Sequence, residues 1–341
     1  MLTILNELPA GFLETSAKEL HRLLNGPALI HLPGRRAEPL FVSILLHGNE
    51  DTGLKAMQQV LARYQRKPLP RALSLFVGNV EAARAGLRRL DGQPDYNRVW
   101  PGCEPAGLAE ERLMAHVVED MRRRGVFASI DIHNNTGLNP HYSCVNRLDQ
   151  RFFRLATLFS RAAVYFTRPL GVQAMAFADL CPAVTVECGK AGEGASDGHA
   201  AAFVEAALHL DHFPEHPLSR QDLDLYHTVA VVNVPESIRF AFGAGEADIV
   251  FDGEIDHFNF NELGPGTALG QVAPGCRMPV QAWDDGGREV TAHYFEVCDG
   301  TLLTRLAVMP AMLTRDERVI RQDCLCYLMV RLPYPYETDK P

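Results

Sequence analysis

The first two-thirds of the chain alternates short apolar runs with amphipathic segments. That alternation limits the fold more than any other feature. "ALIHL" (28–32), "LFVSILL" (40–46), "ALSLFVGN" (72–79), "FASIDIHNNTG" (127–137) and "AVTVECG" (183–189) read as buried strands. Between them lie helix signals. "SAKELHRLLN" starts on a capping serine and closes at Gly26, and Thr52 is placed to cap a helix running to about Gln65. Residues 106–125, 151–164 and 198–213 carry further amphipathic patterns. Strands alternating with helices predict an α/β domain with a mostly parallel sheet flanked by helices. The pattern changes near Pro214–Arg220. Short strands, turns and glycines follow, so residues 1–214 are expected to form the α/β domain and 221–341 a mainly β domain.

The balance of 33 basic against 42 acidic residues gives a net charge of −9, which argues against nucleic-acid binding. The basic run Met121–Gly125 ends a predicted helix, where cations complement the helix dipole. No apolar run reaches the roughly 18 residues needed to span a bilayer, so no membrane partner is expected. The N-terminus lacks a basic start and is interrupted by Glu7 and Glu14, unlike a secretory signal. The scattered cysteines form no C-x-x-C pair. A reducing, cytoplasmic setting is the expectation. A homo-oligomer is compatible with the sequence.

In an open α/β sheet, ligands gather beyond the carboxyl ends of strands. Three polar clusters fall at such ends: His47 and Glu50 after "VSILL", His133 after "SIDI", and Glu187 closing "AVTVE". A solvated loop accounts for any one of them alone. Together, His47, Glu50 and His133 supply two imidazoles and a carboxylate, a set that holds catalytic zinc and leaves a position for water. Asp131 is placed to orient a ligand ring. A carboxylate ending an apolar strand is costly unless it is paired or used. Glu187 is therefore a candidate general base.

Four stretches, "HGNE", "GNVEAARAGLRRLDGQPDYNR", "DIHNNTG" and "VTVECGK", stand in the order and at roughly the intervals of one family. Over residues 40–200 the chain resembles the succinylglutamate desuccinylase/aspartoacylase family, a branch of the zinc carboxypeptidase-like hydrolases. A weaker resemblance continues through "DHFNFNELGPGTALG". It implies a zinc-carboxypeptidase-like fold, with the C-terminal β domain capping the active site. It implies one zinc per chain on His47, Glu50 and His133, with Glu187 as catalytic acid/base. Arg88 matches an arginine that polarises the scissile carbonyl. Asn97 and Arg98 match the pair that holds the substrate carboxylate, and Asn79 opens the same motif. The chemistry agrees: a fixed cation stabilises a developing oxyanion, and a guanidinium binds a carboxylate through paired hydrogen bonds.

The departures bear on substrate. "RRLDGQPDYNR" carries about two residues more than the usual form, which puts the placement of Arg88 in question. No arginine lies between Gly171 and Glu187, where aspartoacylases have one; Met175, Phe177 and Leu180 stand there instead, and Arg168 lies farther upstream. N-acetylaspartate is therefore not the expected substrate. A C-terminal tyrosine can join the site in this family, with Tyr294 and Tyr327 as candidates, and His141 lies close after the ligand loop. The resulting expectation is a zinc-dependent deacylase of a small N-acyl amino acid or related carboxylate-bearing amide, compatible with ester cleavage. A carboxypeptidase-like peptidase is the alternative. A binding protein that keeps the fold without turnover is a third reading, disfavoured by the intact residue set.

Overall fold

The computed structural model describes residues 2–192, 194–214 and 216–335. The chain divides into two units. The first comprises Met1–Asn134, His141–Leu225 and Pro333–Pro341; the second comprises Asn135–Pro140 and Tyr226–Leu332. Residues 336–341, the end of the expected β domain, lie outside the described residues.

The first unit is built on strands β1 (Thr3–Leu5), β2 (Ala28–Leu32), β3 (Gly34–Ile44), β4 (Leu69–Val77), β5 (Ala128–Asn135), β6 (Tyr142–Val145), β7 (Ala162–Tyr165) and β8 (Ala183–Lys190). Their order in the sheet is β1-β2-β4-β3-β5-β8-β6-β7. The pairs β1/β2, β3/β4, β3/β5 and β6/β7 are parallel, whereas β2/β4 and β6/β8 are antiparallel. The central strands are buried on both faces where they pair, and β5 buries the polar Ser129, Asp131 and His133 along with its apolar residues. The helices are α1 (Thr52–Ala62), α2 (Val80–Ala85), α3 (Ala109–Arg123), α4 (Gln150–Thr157), α5 (Gln173–Phe177) and α6 (Gly194–His209). In α3 the buried Met114, Val117, Val118 and Met121 repeat at helical spacing and form one apolar stripe.

Three expected helices differ from the sequence reading. Residues 16–25 form successive three-residue turns with only a short 3-10 segment, Leu20–Arg22. His21 Nδ1 sits 2.9 Å from the Lys18 carbonyl oxygen, which a regular helix would use for its own bond. The helix expected over 151–164 stops at Thr157, and its last residues form β7. Ser160 breaks it, donating to the His141 carbonyl at 2.8 Å and accepting the Ala162 N–H at 3.1 Å. The helix expected to reach residue 213 ends at His209. Just beyond it, the buried guanidinium of Arg71 takes the Leu210 carbonyl at 3.0 Å.

The second unit contains all but the first two residues of β9 (Asp224–Asn233), and β10 (Phe240–Phe242), β11 (Ile249–Phe251), β12 (Ala268–Val272), β13 (Gln281–Trp283), β14 (Phe295–Cys298), β15 (Thr301–Thr304), β16 (Met309–Ala311) and β17 (Cys326–Arg331). The helices in it are short: α7 (Thr291–Tyr294) and α8 (Glu317–Gln322). One sheet runs β10-β11-β12-β15-β14. Among the remaining strands, β9 pairs antiparallel with β13 and β17, and β17 pairs with β16. Val232, Phe251, Leu302 and Leu328 belong to its own apolar core. The loop Asn135–Pro140 is bound within this unit: Thr136 Oγ1 donates to Thr314 Oγ1 at 2.8 Å, and Asn139 Oδ1 accepts the Met312 N–H at 2.9 Å.

Trp100, two residues beyond Arg98, anchors the first unit's core. Its ring is fully buried and meets Phe41, Phe76 and Phe177 edge-on. Trp100→Ala is expected to lower the unfolding free energy by about 3–5 kcal/mol in urea titration. A loss below about 1 kcal/mol would show that the surroundings refill the space.

Candidate metal centre and active site

The chain leaves β3 through a strained turn. Leu45 takes φ of +54°, a conformation that costs an L-residue roughly 1–2 kcal/mol. Its carbonyl is held by the Asn79 N–H at 2.6 Å. Gly48 donates its N–H to the Arg88 carbonyl at 3.0 Å. A Cβ on Gly48 would lie 2.1 Å from the Ala83 nitrogen, so only glycine lets this turn press against α2. The turn presents His47 and Glu50, and β5 presents His133.

These three side chains converge. One ligand atom from each lies within 4.8 Å of the others, and all three residues are buried. Glu50 joins them, with Oε1 2.8 Å from His47 Nδ1 and Oε2 2.8 Å from His133 Nδ1. The Asn134 N–H donates to Glu50 Oε2 at 3.2 Å. The far nitrogen of each ring meets a second carboxylate: His47 Nε2 lies 3.0 Å from Asp95 Oδ1, and His133 Nε2 lies 2.8 Å from Asp131 Oδ2. Asp131 is itself steadied by Ser43 Oγ at 2.6 Å. Carboxylates on the outer nitrogens fix ring orientation and turn both Nδ1 atoms toward one point, as metal-binding histidines need.

The electrostatics match that use. Burial alone would raise the Glu50 carboxyl, but the two imidazoles outweigh it and hold the group far below the usual range. Burial would likewise raise Asp95, yet His47 and Arg88 keep it well below its ordinary value. Burial would lower His133, but Asp131 and Glu50 push it well above its ordinary value. The buried carboxylates of Glu50 and Asp131 and the part-buried one of Asp95 thus surround two imidazoles and one guanidinium. Such a donor set suits a divalent cation, and two imidazoles with one carboxylate suit zinc.

Glu187 behaves differently. Burial pushes it up to about 7, with His133 opposing the shift and Glu50 adding to it. Among the described residues nothing hydrogen-bonds its buried Oε2. A carboxyl poised near neutrality beside a cation site can take and return a proton.

The remaining expected residues are placed as follows. Arg88 is largely buried, donating from Nη2 to Asp95 Oδ2 at 3.1 Å, with Nη1 3.7 Å from Glu50 Oε1. Asn97 accepts the Gln173 N–H on Oδ1 at 3.0 Å, and its Nδ2 lies 3.3 Å from His133 Nε2. Arg98 is half-buried, donates to the Asn97 carbonyl at 2.8 Å and contributes to the field on Asp95. Asn79 caps α2 through the Ala82 N–H and donates to Gln93 Oε1 at 3.1 Å, so both ends of its amide serve the turn. Phe177 is core, stacked on Phe41 at 4.4 Å. His141 lies outside the metal group, 3.1 Å from Ser196 Oγ and stacked on His199. Tyr294 and Tyr327 belong to the second unit.

Asp95 escapes a reading centred on Asn97 and Arg98. It joins His47, Arg88 and the Asn97 N–H, the last at 2.7 Å. Its signal in the sequence is an acid two positions before that pair. Asp95→Asn is expected to weaken zinc binding by about 10–100-fold in competition with a chromophoric chelator. Unchanged affinity would contradict the orienting role. A second expectation concerns the metal-free protein. Glu187 titrates near 7 in the folded state against an ordinary 4.5, so the folded chain holds this proton more tightly than the unfolded one. That contribution is complete below about pH 4.5 and is lost as pH rises through about 7. Glu187→Gln should therefore gain stability relative to wild type between about pH 5 and about pH 8, on the order of 1–3 kcal/mol by urea unfolding. A difference independent of pH would contradict it.

The fold has solved counterparts. The chain is similar to succinylglutamate desuccinylase from Chromobacterium violaceum, with 16% identity and a TM-score of 0.57, covering 89% of this chain and 87% of that one. It is similar to murine aminoacylase 3, with 14% identity and a TM-score of 0.54, covering 87% and 95%. It is also similar to the ectoine utilization protein from Ruegeria pomeroyi, solved with product bound, with 16% identity and a TM-score of 0.54, covering 89% and 88%. No curated protein sequence matches significantly. At these identities the likeness establishes the zinc-carboxypeptidase-like fold. Among the described residues no helix is long and apolar enough to cross a membrane. The family model for the succinylglutamate desuccinylase/aspartoacylase catalytic domain matches residues 39–210, half of the chain, a span within which His47, Glu50, Arg88–Arg98, His133 and Glu187 all lie. The chain belongs to the succinylglutamate desuccinylase/aspartoacylase family.

Proposed function

We propose that this protein is a zinc-dependent amidohydrolase that deacylates a small N-acyl amino acid or a related carboxylate-bearing amide. The observation that carries this reading is the meeting of His47, Glu50 and His133 within 4.8 Å, beside a buried Glu187 whose Oε2 has no partner among the described residues. Zinc held on the two Nδ1 atoms and the Glu50 carboxylate would supply Lewis acidity toward water and the scissile carbonyl.

The protein's own groups do the rest. The Glu187 carboxylate takes the proton of the attacking water and delivers it to the departing amine nitrogen. Its burial and the lack of a hydrogen-bond partner for Oε2 among the described residues suit it to both transfers. Arg88, steered by Asp95, brings positive charge to the side where the oxyanion develops. Arg98 and Asn97 receive the substrate carboxylate, and Asn79 shapes the turn beneath them. The absence of an arginine between Gly171 and Glu187 favours an acyl amino acid with a neutral or apolar side chain over N-acetylaspartate.

The test is amine release from a panel of N-acetyl and N-succinyl amino acids, with short peptides alongside. Zinc-loaded wild type and Glu187→Gln are compared. Release from acyl amino acids is expected, falling by about 10²–10⁴ in the variant while zinc is retained. A variant with near wild-type turnover would remove Glu187 from the mechanism. Release from peptides alone would make the protein a carboxypeptidase-like peptidase.

A further inference from the structure

Gln173 is buried at the start of α5, far in sequence from the "DYNR" motif, yet both of its ends serve that motif's geometry. Its backbone N–H donates to Asn97 Oδ1 at 3.0 Å. Its side-chain Nε2 donates to Ser129 Oγ at 2.6 Å. Ser129, Asp131 and His133 sit at alternate positions of β5 and share one face of it. Gln173 therefore ties the Asn97 amide to the strand that carries His133. The neighbouring backbone reinforces the tie. Trp100 N–H donates to the Gly171 carbonyl at 3.0 Å. Gly171 takes φ of +73°, and a Cβ there would lie 2.3 Å from the Arg98 carbonyl oxygen. Only glycine lets residues 171–173 lie this close to 97–100.

The consequence is directional. An asparagine amide has an acceptor end and a donor end. The Gln173 N–H occupies the acceptor, so the donor Nδ2 is turned the other way, to within 3.3 Å of His133 Nε2. His133 Nε2 is committed to Asp131 and does not use up the Asn97 donor, so the end of the amide left to meet an anion is Nδ2; a flipped Asn97 would offer an oxygen instead and repel one.

We propose that Gln173 is a positioning residue that sets the Asn97 amide donor-side toward the substrate carboxylate, acting through its backbone N–H with its side chain locked on Ser129. This rests on the deacylase reading and adds a residue which that reading does not require.

Two variants separate the backbone bond from the side chain. Gln173→Ala removes the Ser129 anchor but keeps the N–H. Gln173→Pro removes the N–H as well. Proline is tolerated here because Gln173 is the first residue of its helix and Val172 before it is extended, with φ −88° and ψ 152°. The readout is the ratio of kcat/KM for an N-acyl amino acid to that for its C-terminal carboxamide. A loss of folded enzyme would lower both and leave the ratio alone. The proline variant is expected to lose about 5–10-fold in this ratio beyond the alanine variant, mainly through KM for the carboxylate substrate. Neutron crystal structures of both variants, which tell the amide nitrogen from its oxygen, give a second readout, with Asn97 displaced or flipped in the proline variant and retained in the alanine variant. Equal ratios in the two variants of an active enzyme would overturn the proposal. If wild type hydrolyses no acyl amino acid, the deacylase reading fails on its own. The crystal structures then decide this one, and an Asn97 amide unmoved in the proline variant overturns it.

Discussion

The Glu50 carboxylate, with one oxygen on each of two imidazoles, is the interaction on which the site depends. A buried carboxylate is unfavourable unless it is paired, and these two pairings keep it ionised. The same pattern repeats outward. Each imidazole turns its other nitrogen to Asp95 or Asp131, and those acids lean on Arg88 and Ser43. The result is a closed polar network in which ring orientation is set by groups that themselves have fixed partners. Glu187 lies within its field, its Oε2 hydrogen-bonds to none of the described residues, and burial raises its affinity for a proton.

The scaffold explains why such distant residues meet. β3 and β5 run parallel side by side, so their carboxyl ends reach the same edge of the sheet. Two glycines then make the close approaches that side chains would forbid. Gly48 lets the ligand turn press on α2, and Gly171 lets the segment after it lie against Arg98. Leu45, where the chain bends out of β3, carries backbone strain that the surrounding hydrogen bonds and burial offset.

Much of this was legible in the sequence. The buried strands could be read because strands covered on both faces are rich in apolar and β-branched residues, and the ligands could be read because they sit at or near the carboxyl ends of such strands. Helix boundaries were less legible where a side chain competes with the backbone. Ser160 ends α4 and starts β7, and His21 holds residues 16–25 in turns. Neither effect shows in hydrophobic periodicity. Asp95 and Gln173 were illegible for a different reason. Their roles come from partners 48 and 76 positions away, which only the folded chain brings together. Phe177 illustrates the converse, an apolar residue in a stretch that differs from the family's arginine-bearing form, which the fold spends on packing against Phe41 and Trp100.

The most direct measurement is anomalous diffraction at the zinc edge from crystals of the zinc-loaded protein. One peak is expected, bonded by Nδ1 of His47, Nδ1 of His133 and the Glu50 carboxylate, with each Nε2 still on its aspartate. A peak held by other residues, or rings turned so that Nε2 faces the metal, would contradict the carboxylate-oriented centre described here.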